Sequence, residues 1–220
     1  KIFTNKFENI SNSDILWYCL DTPVDENDRA NVNKVLYEIK ETILKFKNFK
    51  FLIISSQLPL GSFEKLKTFF KTKKRLIRII YIPENLRLGK SLEIFLRPDR
   101  IIVGAEDQIS IGLVNKIFKK IKNKIINVSP EGAELIKHSI NGFLALSICY
   151  INEISNIAKK YKINSKEIEY GLKSEERIGF KSYLSPGNAY AGGTLARDVN
   201  FLEDISKNKN LKNFLLRSIS

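Results

Sequence analysis

The sequence predicts an α/β protein in two parts: a parallel sheet covered by helices over residues 1–128, then an all-α part built on one long helix over residues 129–220. Three observations predict it. Short β-rich apolar runs alternate with stretches of helical periodicity as far as Val128. Those runs are apolar throughout rather than at every second position, as strands buried on both faces are. Residues 130–161, PEGAELIKHSINGFLALSICYINEISNIAKKY, then form one uninterrupted helical stretch.

Residues 15–20 (ILWYCL) read as a strand that a proline closes at Asp21-Thr22-Pro23. Over residues 32–46, Val32, Val35, Leu36, Ile39, Ile43 and Leu44 recur at helical spacing. Residues 51–55 (FLIIS) are again strand-like and residues 61–70 helical. Residues 77–82 and 101–103 are two more strands, followed by a helix over about residues 109–121 and a last strand over residues 125–128. Open α/β sheets bind ligands at the carboxyl ends of their strands. Three loops stand there: DTP after Leu20, SSQLPLGS after Ile54 and PENLRLG after Ile82. One alone is an ordinary turn; three in register indicate a cleft. No phosphate-cradling GxGxxG opens the chain, so either this is not a dinucleotide sheet or its first strands are missing.

The long helix starts after Ser129-Pro130, with Glu131 and Glu134 in its first turn. Over residues 140–151 it is apolar nearly all round, more than one covering layer buries, which predicts a homodimer through helix 130–161. Lys137 and Asn141 interrupt the apolar run at i and i+4, on one face of the helix. They are either a functional pair or a snorkelling lysine and an amide of the first turns. His138, the one histidine, points about 100° from Lys137 and reads as a packing or surface residue. A shorter helix follows over residues 164–173. Glycines, Pro186 and alanines then crowd residues 185–193, where backbone must approach something closely. Thr194 is placed to cap a helix running through Arg197, Asp198 and Leu202. A Gly-rich loop feeding a helix start is an anion site by geometry, or else a tight turn.

The formal charge of +13 admits a nucleic acid, a membrane surface or small anions as partners. Its lysines are spread among Ile and Asn along the whole chain, which is compositional bias rather than a nucleic-acid patch. Cys19 and Cys149 are too few and too far apart for a disulfide framework or a zinc site, and no metal is expected; both read as small core residues. No apolar run reaches the roughly 20 residues of a membrane span, and the first residues lack a signal-peptide core, so the cytoplasm is expected. The chain opens on Lys1 and holds no Met, the mark of a segment of a longer protein or of a sequence from which modified residues are missing.

Taken together, SSQLPLGS, YIPENLRLGKSLEIFLRPDRIIVG, AELIKHSINGFLA and SPGNAYAGGTLARDV resemble, in order and spacing over almost the whole chain, the UDP-glucose/GDP-mannose dehydrogenases, the nucleotide-sugar 6-dehydrogenase family. The resemblance implies a partial Rossmann-type sheet, beginning partway through the family's NAD domain and ending before its C-terminal nucleotide-binding domain. It implies NAD-dependent, two-step oxidation of the C6 alcohol of a nucleotide sugar, of UDP type, in polysaccharide biosynthesis. A cysteine thiolate captures the aldehyde, and aspartate-assisted water releases the acid. Carried over by position, Lys137 and Asn141 steady the oxyanion and the reacting hydroxyl, and Asp198 handles protons and water. Glu84, Asn85, Leu86 and Arg87 line the sugar site, with Arg177 reaching a substrate, its own or one across the dimer. Ser185, Gly187, Tyr190 and Gly192 belong to the substrate loop. Thr22, Pro23, Gln57, Leu88 and Arg197 fall where the family touches NAD. Three positions depart from the family pattern: Thr194 replaces the Cys of GGSC, Gln57 the threonine of STVPPG, and Leu88 the second glutamate of PEFLREG. The alternative is a catalytically silent relative acting as a nucleotide-sugar-binding or regulatory dimer.

Overall fold

The structure is a computed structural model that describes residues 13–26, 29–84, 86, 89–121, 124–190, 194–212 and 214–219. It divides into two compact units, Lys1–Pro23 with Ala30–Lys137, and Val24–Arg29 with His138–Ser220. The division falls inside the long helix.

The first unit is a five-stranded sheet whose strands lie in chain order: β1 (Ile15–Tyr18), β2 (Phe51–Ile54), β3 (Arg78–Tyr81), β4 (Ile101–Gly104) and β5 (Ile125–Val128). The β1–β2, β2–β3 and β4–β5 pairs are parallel. The expectation of a wholly parallel sheet needs one correction, because β4 meets β3 antiparallel at the Tyr81–Gly104 pair. A parallel return requires a crossover helix laid on the sheet. Helices α1 (Val32–Lys45), α2 (Ser62–Thr72) and α4 (Gln108–Ile117) serve the parallel pairs, whereas α3 (Ser91–Leu96), between β3 and β4, has six residues and buries none. The apolar runs carry no signal of strand direction, so the reversal is invisible in them.

Side-chain alternation sends the strands' apolar residues to two cores. Leu52, Ile54, Ile79, Tyr81 and Ile102 pack with Ile39 and Ile43 of α1, Leu66 and Phe70 of α2, and Ala133. Ile53, Ile80, Ile101 and Val103 pack on the other face with Val114 and Phe118. Both faces of the sheet are therefore covered, as the apolar runs predicted. Cys19 is exposed, contrary to its reading as a core residue, because β1 ends at Tyr18 and leaves it on the loop. The thiol of Cys149 is half-buried, and burial, with the charge of Glu153, pushes its pKa up.

Gly104 ends β4 beside Val128, the end of β5, and opposite Tyr81, the end of β3. Helix α5 (Pro130–Lys160) therefore starts at the edge of the sheet where the β1, β2 and β3 loops emerge. A Cβ on Gly104 would lie 2.8 Å from Ala133 Cβ and Pro130 Cα, so only glycine lets the helix start so close.

The second unit holds the rest of α5 with α6 (Ser165–Ser174), α7 (Leu195–Asn208) and α8 (Phe214–Arg217). Ala145, Val199 and Ile219 form its core, joined by Leu146, Cys149, Tyr190 and Leu195. Thr194 makes no side-chain cap on α7: it is already in the right-handed helical conformation, from which its hydroxyl does not serve the first turn. The short helices α3 and α8 have no counterpart in the sequence reading. No helix among the described residues is long and apolar enough to cross a membrane.

Candidate active site

In the first unit, hydrogen bonds stitch together the loops that leave β1, β2 and β3. The Thr22 hydroxyl, almost fully buried, donates to the Gln57 carbonyl at 2.6 Å. The Ser56 hydroxyl donates to the Leu20 carbonyl. That of Ser55 donates to the Ile82 carbonyl at 2.8 Å and accepts from the Trp17 indole at 3.0 Å. Pro23 stays exposed at the rim, and its carbonyl accepts from the Asn31 amide at 2.7 Å. Thr22, Pro23 and Gln57 thus lie at the strand ends.

Glu134 lies beneath this rim. Its carboxylate, 1% exposed, accepts from the Gly61 and Phe63 amides at 2.7 and 2.8 Å and closes the start of α2. Gly61 sits at φ +89°, in the left-handed region that favours glycine. The sequence reading gave Glu134 to the first turn of its own helix; the structure uses it on α2, which nothing local could have revealed.

Glu84 follows β3 on the same edge. Its side chain reaches solvent, yet surrounding protein raises its carboxyl pKa by desolvation. The positive charge of Lys137 opposes that rise, and the negative charge of Asp21 adds to it. Lys137 itself is buried, so its ammonium is not a snorkelling surface charge. Leu86 is exposed, while Asn85, Arg87 and Leu88 lie outside the described residues.

The second unit centres on Asp198, which is fully buried on α7. Its Oδ1 lies 2.9 Å from Nδ1 of His138, also fully buried, and its Oδ2 accepts from the Asn141 amide. His138 is the site residue that sequence reasoning missed. Its spacing from Lys137 hides its place, but Asn141 is three residues on, within reach of the same neighbour. Thr194 is exposed one turn ahead of Asp198, and the Asp198 amide donates to its carbonyl at 3.3 Å. Arg197 is buried beside Asp198 in sequence.

Other expected substrate residues make hydrogen bonds and ion pairs within the second unit. Arg177, its side chain 87% exposed, pairs with Glu175 at 2.7 Å. The Ser185 hydroxyl donates to Glu169 at 2.5 Å and accepts from Lys173 at 3.0 Å. The Gly187 amide donates to Asn152 at 2.9 Å, and the Tyr190 hydroxyl donates to the Ile219 carbonyl. These bonds brace the loop. Gly192 lies outside the described residues. No cluster of three or more metal-ligating side chains occurs among the described residues.

Neutral hydroxyls and amides at the carboxyl ends of β1 and β2 are the chemistry a dinucleotide meets in an open α/β sheet. Thr22 and Ser56, through their bonds to the Gln57 and Leu20 carbonyls, hold the loops at those strand ends, the place where a dinucleotide fits in such a sheet.

Comparison with known proteins agrees. The model of the NAD binding domain of the UDP-glucose/GDP-mannose dehydrogenase family matches residues 2–122, and that of the family's central domain matches residues 131–220. The UDP-glucose 6-dehydrogenase of Rickettsia prowazekii is 31% identical over 222 residues, which cover 99% of this chain and 50% of that protein. A UDP-glucose dehydrogenase structure from the archaeon Pyrobaculum islandicum superposes with a TM-score of 0.87 at 23% identity, covering 99% of this chain and 52% of that one. A UDP-D-ManNAc dehydrogenase from Pyrococcus horikoshii gives 0.83 at 21%, covering 98% and 51%. The chain spans about half the length of the curated relatives it matches. The cofactor named by the matched domain is NAD. With its sheet and its long helix each matched by a model of the same family, the chain belongs to the UDP-glucose/GDP-mannose dehydrogenases.

Proposed function

We propose that the whole protein is an NAD-dependent nucleotide-sugar 6-dehydrogenase that oxidises the C6 alcohol of a UDP-type sugar, in the cytoplasm, for polysaccharide biosynthesis. One observation carries the reading: a fully buried carboxylate, Asp198, has its two oxygens held by His138 and Asn141 on α5. A carboxylate so held has a fixed direction, which is what a group that moves a proton at one atom requires. Asp198 takes the proton released as the alcohol becomes a carbonyl. Lys137 and Asn141, one turn apart on α5, hold the sugar oxygen and steady the negative charge that develops on it. Glu84 lines the sugar. Thr22, Pro23 and Gln57 hold the cofactor at the strand ends, with Arg197 and Leu88 as further contacts. NAD, when bound, supplies the hydride acceptor.

Thr194 changes the second half of the reaction. An alcohol at neutral pH is almost wholly un-ionised and captures an aldehyde far less readily than a thiolate. After Asp198 passes its first proton to solvent, water adds to the aldehyde in place of a protein nucleophile and gives up a proton to Asp198. The NADH formed per sugar consumed by the full-length protein tests this. Two equivalents indicate the acid, one indicates that oxidation stops at the aldehyde, and none with a panel of nucleotide sugars overturns the enzyme reading.

The departures at Gln57, Leu88 and Thr194 favour a second reading, a silent relative that binds a nucleotide sugar without turnover. Calorimetric binding with no NADH formed supports it, and turnover restored in Thr194→Cys alone argues against it. The protein also pairs with a second copy of itself. Phe143, Tyr150 and Ile157 recur every seven residues along α5 and are 67%, 48% and 56% exposed, an apolar stripe of the kind that seams helices together.

A further inference from the structure

In the reaction outlined above, His138 enters only as a partner of Asp198. It is the single histidine of the chain, and it is fully buried. Its Nδ1 lies 2.9 Å from Asp198 Oδ1. The Asn141 amide donates to the other carboxylate oxygen. Phe201 meets the imidazole edge to face, at 5.2 Å between ring centroids and 73° between planes.

The arrangement is two by two. His138 and Asn141 stand three apart on α5, and Asp198 and Phe201 stand three apart on α7. Residues at that spacing share a helix face, so one face of α5 presents two polar groups to one carboxylate. The same face of α7 presents that carboxylate and the ring that stops the imidazole from turning. The terminal torsion of an aspartate is broad and soft. A partner on each oxygen removes that freedom.

We propose that His138 is the positioning residue of Asp198: as the tautomer carrying hydrogen on Nδ1 it donates to Oδ1, and together with Asn141 on Oδ2 it fixes the plane of the carboxylate. An ionised carboxylate only accepts, so the bond requires the hydrogen on Nδ1 and leaves Nε2 of the neutral ring as an acceptor. His138 thus acts on the reaction through Asp198 and touches no substrate. Its kinetic consequence rests on the dehydrogenase reading; its tautomer does not.

The tautomer is directly readable from the ring 15N signals of the full-length protein, the pair that belongs to His138 being the one lost in His138→Leu. The expected pattern carries hydrogen on Nδ1, whether or not Nε2 carries one as well; hydrogen on Nε2 with a bare Nδ1 overturns the proposal. Kinetics of the same protein supply the second arm. His138→Leu is expected to lower kcat about a hundredfold, the scale of a misplaced reacting group, and to leave both KM values unchanged. His138→Asn places an amide nitrogen near the Nδ1 position and is expected to recover most of kcat. His138→Leu with an unaltered kcat, or His138→Asn no better than His138→Leu, overturns the positioning role. If the unaltered protein turns over no nucleotide sugar, the dehydrogenase reading fails, and the tautomer alone decides the bond to Asp198.

Discussion

Glu84 is a carboxyl whose surroundings favour its protonated form. Burial raises its pKa, Lys137 pulls it down and Asp21 pushes it up. The sign for stability follows from the raised value: what the protonated group contributes is present below the ordinary carboxylate range and is lost as pH rises through the raised pKa. A 13C carboxyl titration should therefore place the Glu84 midpoint above that of an ordinary glutamate. Lys137→Met should move it higher and Asp21→Asn lower; a midpoint indifferent to both changes refutes the assignment. Some of this site is legible in the sequence. Lys137 and Asn141 stand out because helix phase is arithmetic on residue number, and they interrupt an apolar run. Asp198 is reached only through family resemblance. His138 is misjudged because its partner lies 60 residues away on another helix, a contact that no local pattern encodes. Arg177 pairs with Glu175 two residues away, whereas Ser185 binds Glu169 and Lys173, which are 16 and 12 residues away on α6.

At the scale of elements, α5 does work for its neighbour. The carboxylate of Glu134 accepts the amides that open α2, an end that otherwise has no side-chain cap. Glu134→Ala strands the buried Phe63 amide and the half-buried Gly61 amide and should cost about 1–3 kcal/mol in denaturant unfolding of the chain. Glu134→Gln keeps one acceptor oxygen and should cost less. Equal stability of all three proteins would show that water satisfies those amides. The strands and long helices were legible nearly to their ends, because apolar runs and helical periodicity follow from burial on two faces or on one. Two features were not. The reversal between β3 and β4 depends on strand direction, to which hydrophobic pattern is blind. Helix α3 buries nothing, so it prints no periodic apolar face.

For the molecule as a whole, the charge of +13 is spread rather than gathered, so the self-association proposed above would rest on apolar contact. The sequence marked residues 140–151 of α5 as apolar all round, and the structure sorts them. Ala145 and Ile151 are fully buried within the chain, while Phe143 and Tyr150 face outward. Light scattering of the full-length protein should report a dimer, and the pair Phe143→Glu with Tyr150→Glu should report a monomer; a dimer that survives both charges places the interface elsewhere. The sheet carries a further consequence. Its spatial order repeats its chain order, so each strand from β2 onward docks beside the one synthesised just before it. Contacts that close over short stretches of chain form fast. As the polypeptide leaves the ribosome, each strand from β2 to β5 therefore finds the neighbour it pairs with already made.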